Sequence, residues 1–212
     1  MSDRLTMALP KGRLLKKVQD HFGRYGIIFP DEDDRKLVIE DTSGRFTFFL
    51  VKNSDLPVYV SHGIAGLGIC GEDVLTESQT DLLKLAPLPF GSTKMCLAAR
   101  KDTPPPAGSG PLTIATKFPH FTRTYYHKLG VAVQVIKLAG SVELAPVLGL
   151  APYIVDLVET GSTLKANNLY VVQELARIRV YLVANPAYYK LHYKEIEEFL
   201  EMLDIETTEP SP

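Results

Sequence analysis

The stretch Tyr153–Leu164 holds the residues best suited to chemistry. An apolar run ends in Asp156, and Thr160-Gly161-Ser162-Thr163 starts four residues later, where a helix reads as beginning. The first N–H groups of a helix lack intrahelical partners and carry partial positive charge. Gly161 lets the backbone approach a ligand closely, and Thr160, Ser162 and Thr163 supply hydroxyl donors. Such a cradle holds a terminal monophosphate without a net positive protein, and Asp156 stands where ribose hydroxyls would lie. The same string also reads as a capped helix with ordinary turn residues. It is not a Walker loop, because the Gly-Lys-Ser/Thr ending is absent.

Other polar residues stand at the ends of apolar runs. Lys11, Gly12 and Arg13 follow the short apolar segment Leu5–Leu9, and a cation beside a glycine just after a strand is placed for an anion. Arg35 is a second candidate, although Asp31, Glu32, Asp33 and Asp34 offer it simple ion pairs. Lys52 and Ser54 follow Phe46–Val51. Asp73 follows Leu67–Cys70 and reads equally as a helix N-cap. Glu143 reads also as a first-turn helix acid. Lys117 reads as a phosphate contact or a surface lysine. The five histidines show no metal-ligand spacing. The two cysteines, Cys70 and Cys96, fit neither a disulfide framework nor a zinc site and read as core residues in a reducing compartment.

These residues need elements to hold them. Apolar runs alternate with helical patterns along the chain, which argues for α/β layers. The expected strands are Leu5–Leu9, Lys36–Glu40, Phe46–Val51, Leu67–Cys70, Leu82–Leu88, Lys94–Ala99, Leu112–Thr116, Val131–Leu138, Tyr153–Leu157, Tyr170–Glu174 and Ile178–Ala184. Lys36–Glu40 and Phe46–Val51 flank Thr42-Ser43-Gly44 as a hairpin. Ser54 or Asp55 is expected to cap a helix starting near Pro57. A last helix from about Pro186 to Leu203 carries Tyr189, Tyr193, Ile196, Leu200 and Leu203 on one face. The Pro/Gly-rich stretch near 87–111 separates two lobes. In such folds ligands sit beyond the carboxyl ends of strands or between lobes.

Composition sets outer limits. With 212 residues the chain can bury a real core. Lys and Arg total 23 against 25 Asp and Glu, which argues against a broad nucleic-acid surface, so any polyanion site is local. The apolar runs are too interrupted to span a membrane, and Met1–Leu14 lacks the apolar core of a signal peptide, so a cytoplasmic location is expected.

A longer match accompanies the loop. Glu143, Gly149-Leu150-Ala151, Ile154, Asp156-Leu157, Thr160-Gly161 and Thr163-Leu164 stand at the spacing that resembles the signature of the ATP phosphoribosyltransferases of histidine biosynthesis. Ala8–Arg13, Arg35–Leu37, Lys52–Val60, Gly68–Leu75, Ala115–Pro119 and Lys137–Glu143 resemble further blocks of that family, so the likeness covers roughly residues 5–200.

The resemblance implies attack of adenine N1 of ATP on C1 of phosphoribosyl pyrophosphate, with Mg²⁺ required. It implies a fold resembling a type II periplasmic binding protein, with the active site in the cleft between two α/β lobes. The first lobe is expected at 1–90 with a C-terminal return at 178–212, the second at 91–177. The length implies the short form, which joins a separate regulatory subunit related to histidyl-tRNA synthetase in a hetero-octamer and is a homodimer alone. In catalysis, Arg13, Arg35 and Lys11 are expected at the leaving pyrophosphate. Glu143, Asp156, Thr160, Gly161, Ser162 and Thr163 are expected to hold phosphoribosyl pyrophosphate, and Lys11, Arg13, Lys52, Ser54 and Asp73 to contact ATP. The competing expectation is a non-enzymatic two-lobed module that binds a phosphorylated ligand.

Overall fold

The computed structural model describes residues 4–30, 36–106 and 110–205. Arg35 and its acidic neighbours 31–34 lie outside them. The chain divides into two compact units, residues 1–91 with 179–212 and residues 92–178.

The first unit holds a six-stranded mixed sheet. Its strands are β1 (Leu5–Pro10), β2 (Val38–Glu40), β3 (Phe46–Val51), β4 (Leu67–Gly71), β5 (Leu83–Pro87) and β11 (Val180–Ala184), in the order β2-β3-β1-β4-β11-β5. β1 runs parallel to β3 and β4, with Pro10 opposite Val51 and Ala8 opposite Gly68. Their carboxyl ends therefore face one edge of the sheet. β2 and β3 form the expected antiparallel hairpin, with Ile39 opposite Phe48. β11 brings the C-terminal part of the chain into the sheet, antiparallel to both β4 and β5.

The core of this unit is aromatic. Helix α1 (Arg13–Gly23) buries Val18 and Phe22. Phe22 meets Phe199 edge-on at 5.7 Å between ring centroids, and Phe46 lies 5.0 Å from Phe199. Each such pair contributes about 0.5–1.5 kcal/mol beyond burial. Phe199 belongs to α8 (Tyr193–Met202), so these contacts tie the C-terminal helix to the N-terminal helix α1 and strand β3.

The C-terminal segment corrects one expectation. It forms two helices, α7 (Pro186–Leu191) and α8, broken at His192 (φ −115°, ψ 30°). Ile196, Leu200 and Leu203 are buried as expected, but Tyr193 is 53% exposed. The break follows from two anchors. Asn185 caps α7 by accepting from the N–H groups of Ala187 and Tyr188, and the Tyr188 hydroxyl accepts from the N–H of Thr6 on β1. α8 instead follows the phenylalanine core.

A second correction concerns α2 (Leu56–Ser61). A 3-10 turn at Asn53–Asp55 runs straight into it, leaving Asp55 in helical geometry with no side-chain cap bond, while the Ser54 hydroxyl donates to the Asp55 carboxylate at 2.9 Å.

The second unit is a five-stranded sheet. β6 (Thr93–Arg100), β7 (Leu112–Thr116), β8 (Val133–Lys137), β9 (Tyr153–Val158) and β10 (Leu169–Ile178) lie in the order β10-β6-β9-β7-β8. β7, β8 and β9 are parallel, and β6 runs antiparallel to its neighbours β9 and β10. One face packs Met95, Leu97, Ile114, Tyr126 and Val155 with α4 (Pro119–Lys128). The other packs Ala98, Ile154 and Leu164 with α5 (Leu144–Val147) and α6 (Ser162–Ala166).

Both cysteines are free and buried, and burial pushes the Cys70 thiol up to about 12. Among the described residues no helix is long and apolar enough to cross a membrane.

Candidate active site

The parallel register of the second sheet builds one cluster. Thr116 ends β7 opposite Val155 of β9 and Lys137 of β8. The loops that follow these three strands therefore leave the same edge. They carry Lys117, Glu143 and the 159–163 turn.

The 159–163 turn has the conformation that its glycine permits. Gly161 sits at φ 74°, ψ 6°, the left-handed region, and serves as the N-cap of α6. Thr160 and Ser162 are exposed and share a hydroxyl–hydroxyl bond of 3.0 Å. The N–H of Ser162 donates to the Thr160 hydroxyl at 3.4 Å, a weak contact that a stronger acceptor displaces. Thr163 is exposed, and Leu164 plugs the helix into the core.

Asp156 lies on β9 with its side chain only 13% exposed, on the face that carries α5 and α6. Its Oδ1 is buried and makes no hydrogen bond, while the Lys117 Nζ stands 3.5 Å away as an ion-pair partner. Burial pushes the Asp156 carboxyl above the usual carboxylate range. The Lys117 ammonium opposes that shift, and the Glu143 carboxylate adds to it. Glu143 is half-buried and forms the N-cap position of α5 without a side-chain cap bond. Its carboxylate is thus not used up in capping.

Thr116 holds this corner. It is fully buried, its hydroxyl donates to the Val155 carbonyl at 2.6 Å, and it accepts from the N–H of Phe118 at 2.9 Å. One side chain thus ties the end of β7 to β9 and fixes the turn bearing Lys117. No pattern within the sequence marks it, because its partner carbonyl is 39 residues away. Thr116→Val keeps the volume and removes both buried hydrogen bonds of the hydroxyl. It is expected to destabilise the protein by roughly 1–3 kcal/mol. An unchanged midpoint in thermal or denaturant melts would show that the clamp contributes nothing.

The first unit gathers the other candidates. Pro10 and Val51 are neighbours across the sheet, so Lys11 and Lys52 leave adjacent strand ends. The Lys11 N–H donates to the Val51 carbonyl at 2.9 Å. Gly12 (φ 92°, ψ −148°) turns the chain there, and exposed Arg13 opens α1. Lys11, Lys52 and Ser54 are exposed, and Ser54 is engaged with Asp55. Asp73 is placed differently. It is the second residue of α3 (Glu72–Ser78), only 4% exposed, with its carboxylate folded over Gly71. It is therefore not an N-cap, and it favours the helix start as a first-turn acid.

Comparison with known proteins gives the family. A family model described as HisG, ATP phosphoribosyltransferase, matches residues 52–205. The ATP phosphoribosyltransferase of Geobacter metallireducens is 42% identical over 211 residues, 96% of this chain and 99% of that protein. That of Campylobacter concisus is 41% identical over 200 residues, 94% of this chain and 97% of that protein. Among solved structures, a chain of the ATP phosphoribosyl transferase (HisG:HisZ) complex from Thermotoga maritima superposes with a TM-score of 0.80 at 40% identity. That match covers 94% of this chain and 96% of that one. The periplasmic aliphatic sulphonate binding protein SsuA from Escherichia coli gives a TM-score of 0.66 at 14% identity, over 96% of this chain and 72% of that one. This second likeness is one of fold, that of the periplasmic binding proteins, and it does not favour the binding-module alternative. The matches in sequence are to enzymes along nearly the whole chain, and the chain belongs to the ATP phosphoribosyltransferase family, whose members transfer the phosphoribosyl group of phosphoribosyl pyrophosphate to N1 of the adenine of ATP in the first step of histidine biosynthesis.

Proposed function

We propose how the residues of this chain divide that reaction. The 159–163 turn takes the 5-phosphate of phosphoribosyl pyrophosphate on the backbone around Gly161 and the hydroxyls of Thr160, Ser162 and Thr163. Glu143 and Asp156 accept from the ribose hydroxyls. Arg13, Lys11 and Arg35 meet the leaving pyrophosphate, and Lys11, Arg13, Lys52, Ser54 and Asp73 contact ATP. Ser54 and Asp73 make the weaker case, since Ser54 is engaged with Asp55 and Asp73 is buried. The observation that carries the reading is Asp156, a nearly buried carboxylate with an unbonded oxygen, next to an exposed hydroxyl-rich turn.

The chemistry follows from charge. The C1–pyrophosphate bond breaks, positive charge builds on the ribose, and negative charge builds on the leaving oxygen. The lone pair of adenine N1 forms the new bond to C1. Cations fixed at the leaving group stabilise charge where it develops. The planar guanidinium of Arg13 suits two phosphate oxygens at once. N1 is already a nucleophile, so orientation of the two substrates counts for more than a strong base.

Mg²⁺ belongs to this proposal. Among the described residues no group of three His, Cys, Asp or Glu side chains is placed to cage a metal ion. The ion would be held mainly through the substrates' phosphates. Bound there, it would neutralise leaving-group charge. We further propose a cytoplasmic enzyme of the short type. It would act with a separate histidyl-tRNA-synthetase-like regulatory subunit in a hetero-octamer and form a homodimer alone. The likeness to a chain of the HisG:HisZ complex supports the separate partner.

The test is pyrophosphate release with ATP, phosphoribosyl pyrophosphate and Mg²⁺, omitting each in turn, with and without the regulatory subunit. Release is expected only when all three are present. No release from folded protein with its partner would overturn the assignment.

A further inference from the structure

We propose that Lys117 is a positioning residue for phosphoribosyl transfer: its ammonium holds the Asp156 carboxylate in place for the ribose hydroxyls. This rests on the reading of Asp156 as a ribose contact.

Three observations carry it. Lys117 Nζ is 3.5 Å from Asp156 Oδ1, the oxygen that is buried and makes no hydrogen bond. A buried carboxylate oxygen with no donor is costly unless a cation compensates it. Lys117 itself is held on two sides. Thr116 locks the turn at its root through Val155 and Phe118, and its Nζ stands 5.7 Å from the centre of the Phe118 ring. The remaining groups around Asp156 do not replace it. Glu143, from α5, carries the same sign and repels it, while Cys96, opposite on β6, is a buried thiol whose proton burial retains. The backbone N–H of Leu157 supplies some relief but no charge.

The function of the pair follows. Ribose hydroxyls are donors, and an ionised carboxylate accepts from both with its two oxygens. A protonated carboxyl spends one oxygen as a donor and accepts less well. Lys117 keeps Asp156 ionised and, as an ion-pair partner 3.5 Å from Oδ1, holds the carboxylate in place to accept from the ribose hydroxyls. The lysine acts through the aspartate and need not touch the substrate.

The experiment is titration with phosphoribosyl pyrophosphate and Mg²⁺, with steady-state kinetics in the active assembly, for Lys117→Met, Lys117→Arg, Asp156→Asn and the Lys117→Met/Asp156→Asn double variant. Melting curves accompany each as a check on folding. Lys117→Met is expected to weaken phosphoribosyl pyrophosphate by about tenfold or more, the scale of a lost charge-assisted contact, with kcat changed far less. Lys117→Arg keeps the cation and is expected to retain affinity within about threefold. In the Asp156→Asn background the Lys117→Met effect should fall below about twofold, since the two act as one unit. The acid limb of kcat/KM should move to higher pH in Lys117→Met, because the carboxyl then holds its proton longer. An equal loss in the Asp156→Asn background would overturn the proposal, because Lys117 would then act on its own. A normal Lys117→Met enzyme beside a weakened Asp156→Asn enzyme would overturn it while sparing the ribose reading. A normal Asp156→Asn enzyme would overturn the ribose reading itself, and the proposal with it.

Discussion

Gly161→Val is expected to raise the dissociation constant for phosphoribosyl pyrophosphate by about 100-fold or more while the fold survives. The glycine sits at φ 74°, where an ordinary L-residue costs about 1–2 kcal/mol and a β-branched one is a genuine outlier. Space is not the obstacle. A Cβ at this position would meet only the Val158 Cγ1, at 3.9 Å, which is ordinary contact. The turn is on the surface, so it can relax into another conformation without disturbing the core. That relaxation is the damage. It re-aims the N–H groups of residues 161–163 and separates the Thr160 and Ser162 hydroxyls, now 3.0 Å apart. Losing two charge-assisted hydrogen bonds at about 1.5–3 kcal/mol each accounts for the 100-fold figure. Calorimetric titration reads the affinity, and a melting curve reads the fold. ATP binding should be unaffected. An unchanged phosphoribosyl pyrophosphate titration would remove the turn from the binding site.

The strand, turn and helix start around Gly161 were legible in the sequence because their parts are local. An apolar strand, an acid, a glycine turn and a helix start all fall within Tyr153–Leu164, and β9, Gly161 and α6 appear there. Features set by distant partners were not legible. Thr116 looks like any β-branched strand residue until Val155 is brought beside it. β10 shows the same limit. The sequence reads as a strand that stops at Glu174, yet the strand runs to Ile178 with register shifts between Val171 and Gln173 and between Glu174 and Ala176. Each bulge slips the alternation by one residue, so a period-2 pattern cannot be followed through it. The break at His192 was hidden for a related reason. The apolar stripe is continuous across it, and only the competing anchors at Thr6 and in the phenylalanine core divide the helix.

Arg13→Gln is expected to lower kcat by about 10²–10³-fold, the scale seen when one preorganised donor at a developing negative charge is removed. Phosphoribosyl pyrophosphate should also bind less tightly, because its pyrophosphate is already anionic, but the loss in kcat comes on top of this, because the charge that Arg13 meets grows as the C1–oxygen bond breaks. The position itself argues for this role. Arg13 is the first residue of α1, and that helix has no acidic residue in its first turn. A cation there faces the positive end of the helix dipole, which costs about 0.3–1 kcal/mol. Stability alone would favour an acid. An anion arriving at this corner reverses the balance, since arginine, helix start and Lys11 all attract it. Gly12, at φ 92°, makes the turn that brings these groups to the end of β1. Glutamine keeps a hydrogen-bonding head on the side chain but removes the charge and the bidentate guanidinium fork. The variant should stay folded, which a melting curve checks. A fall in kcat in a folded variant is the expected signature. An unchanged kcat would exclude Arg13 from the leaving-group site. A fall accompanied by unfolding would show that Arg13 serves the fold instead.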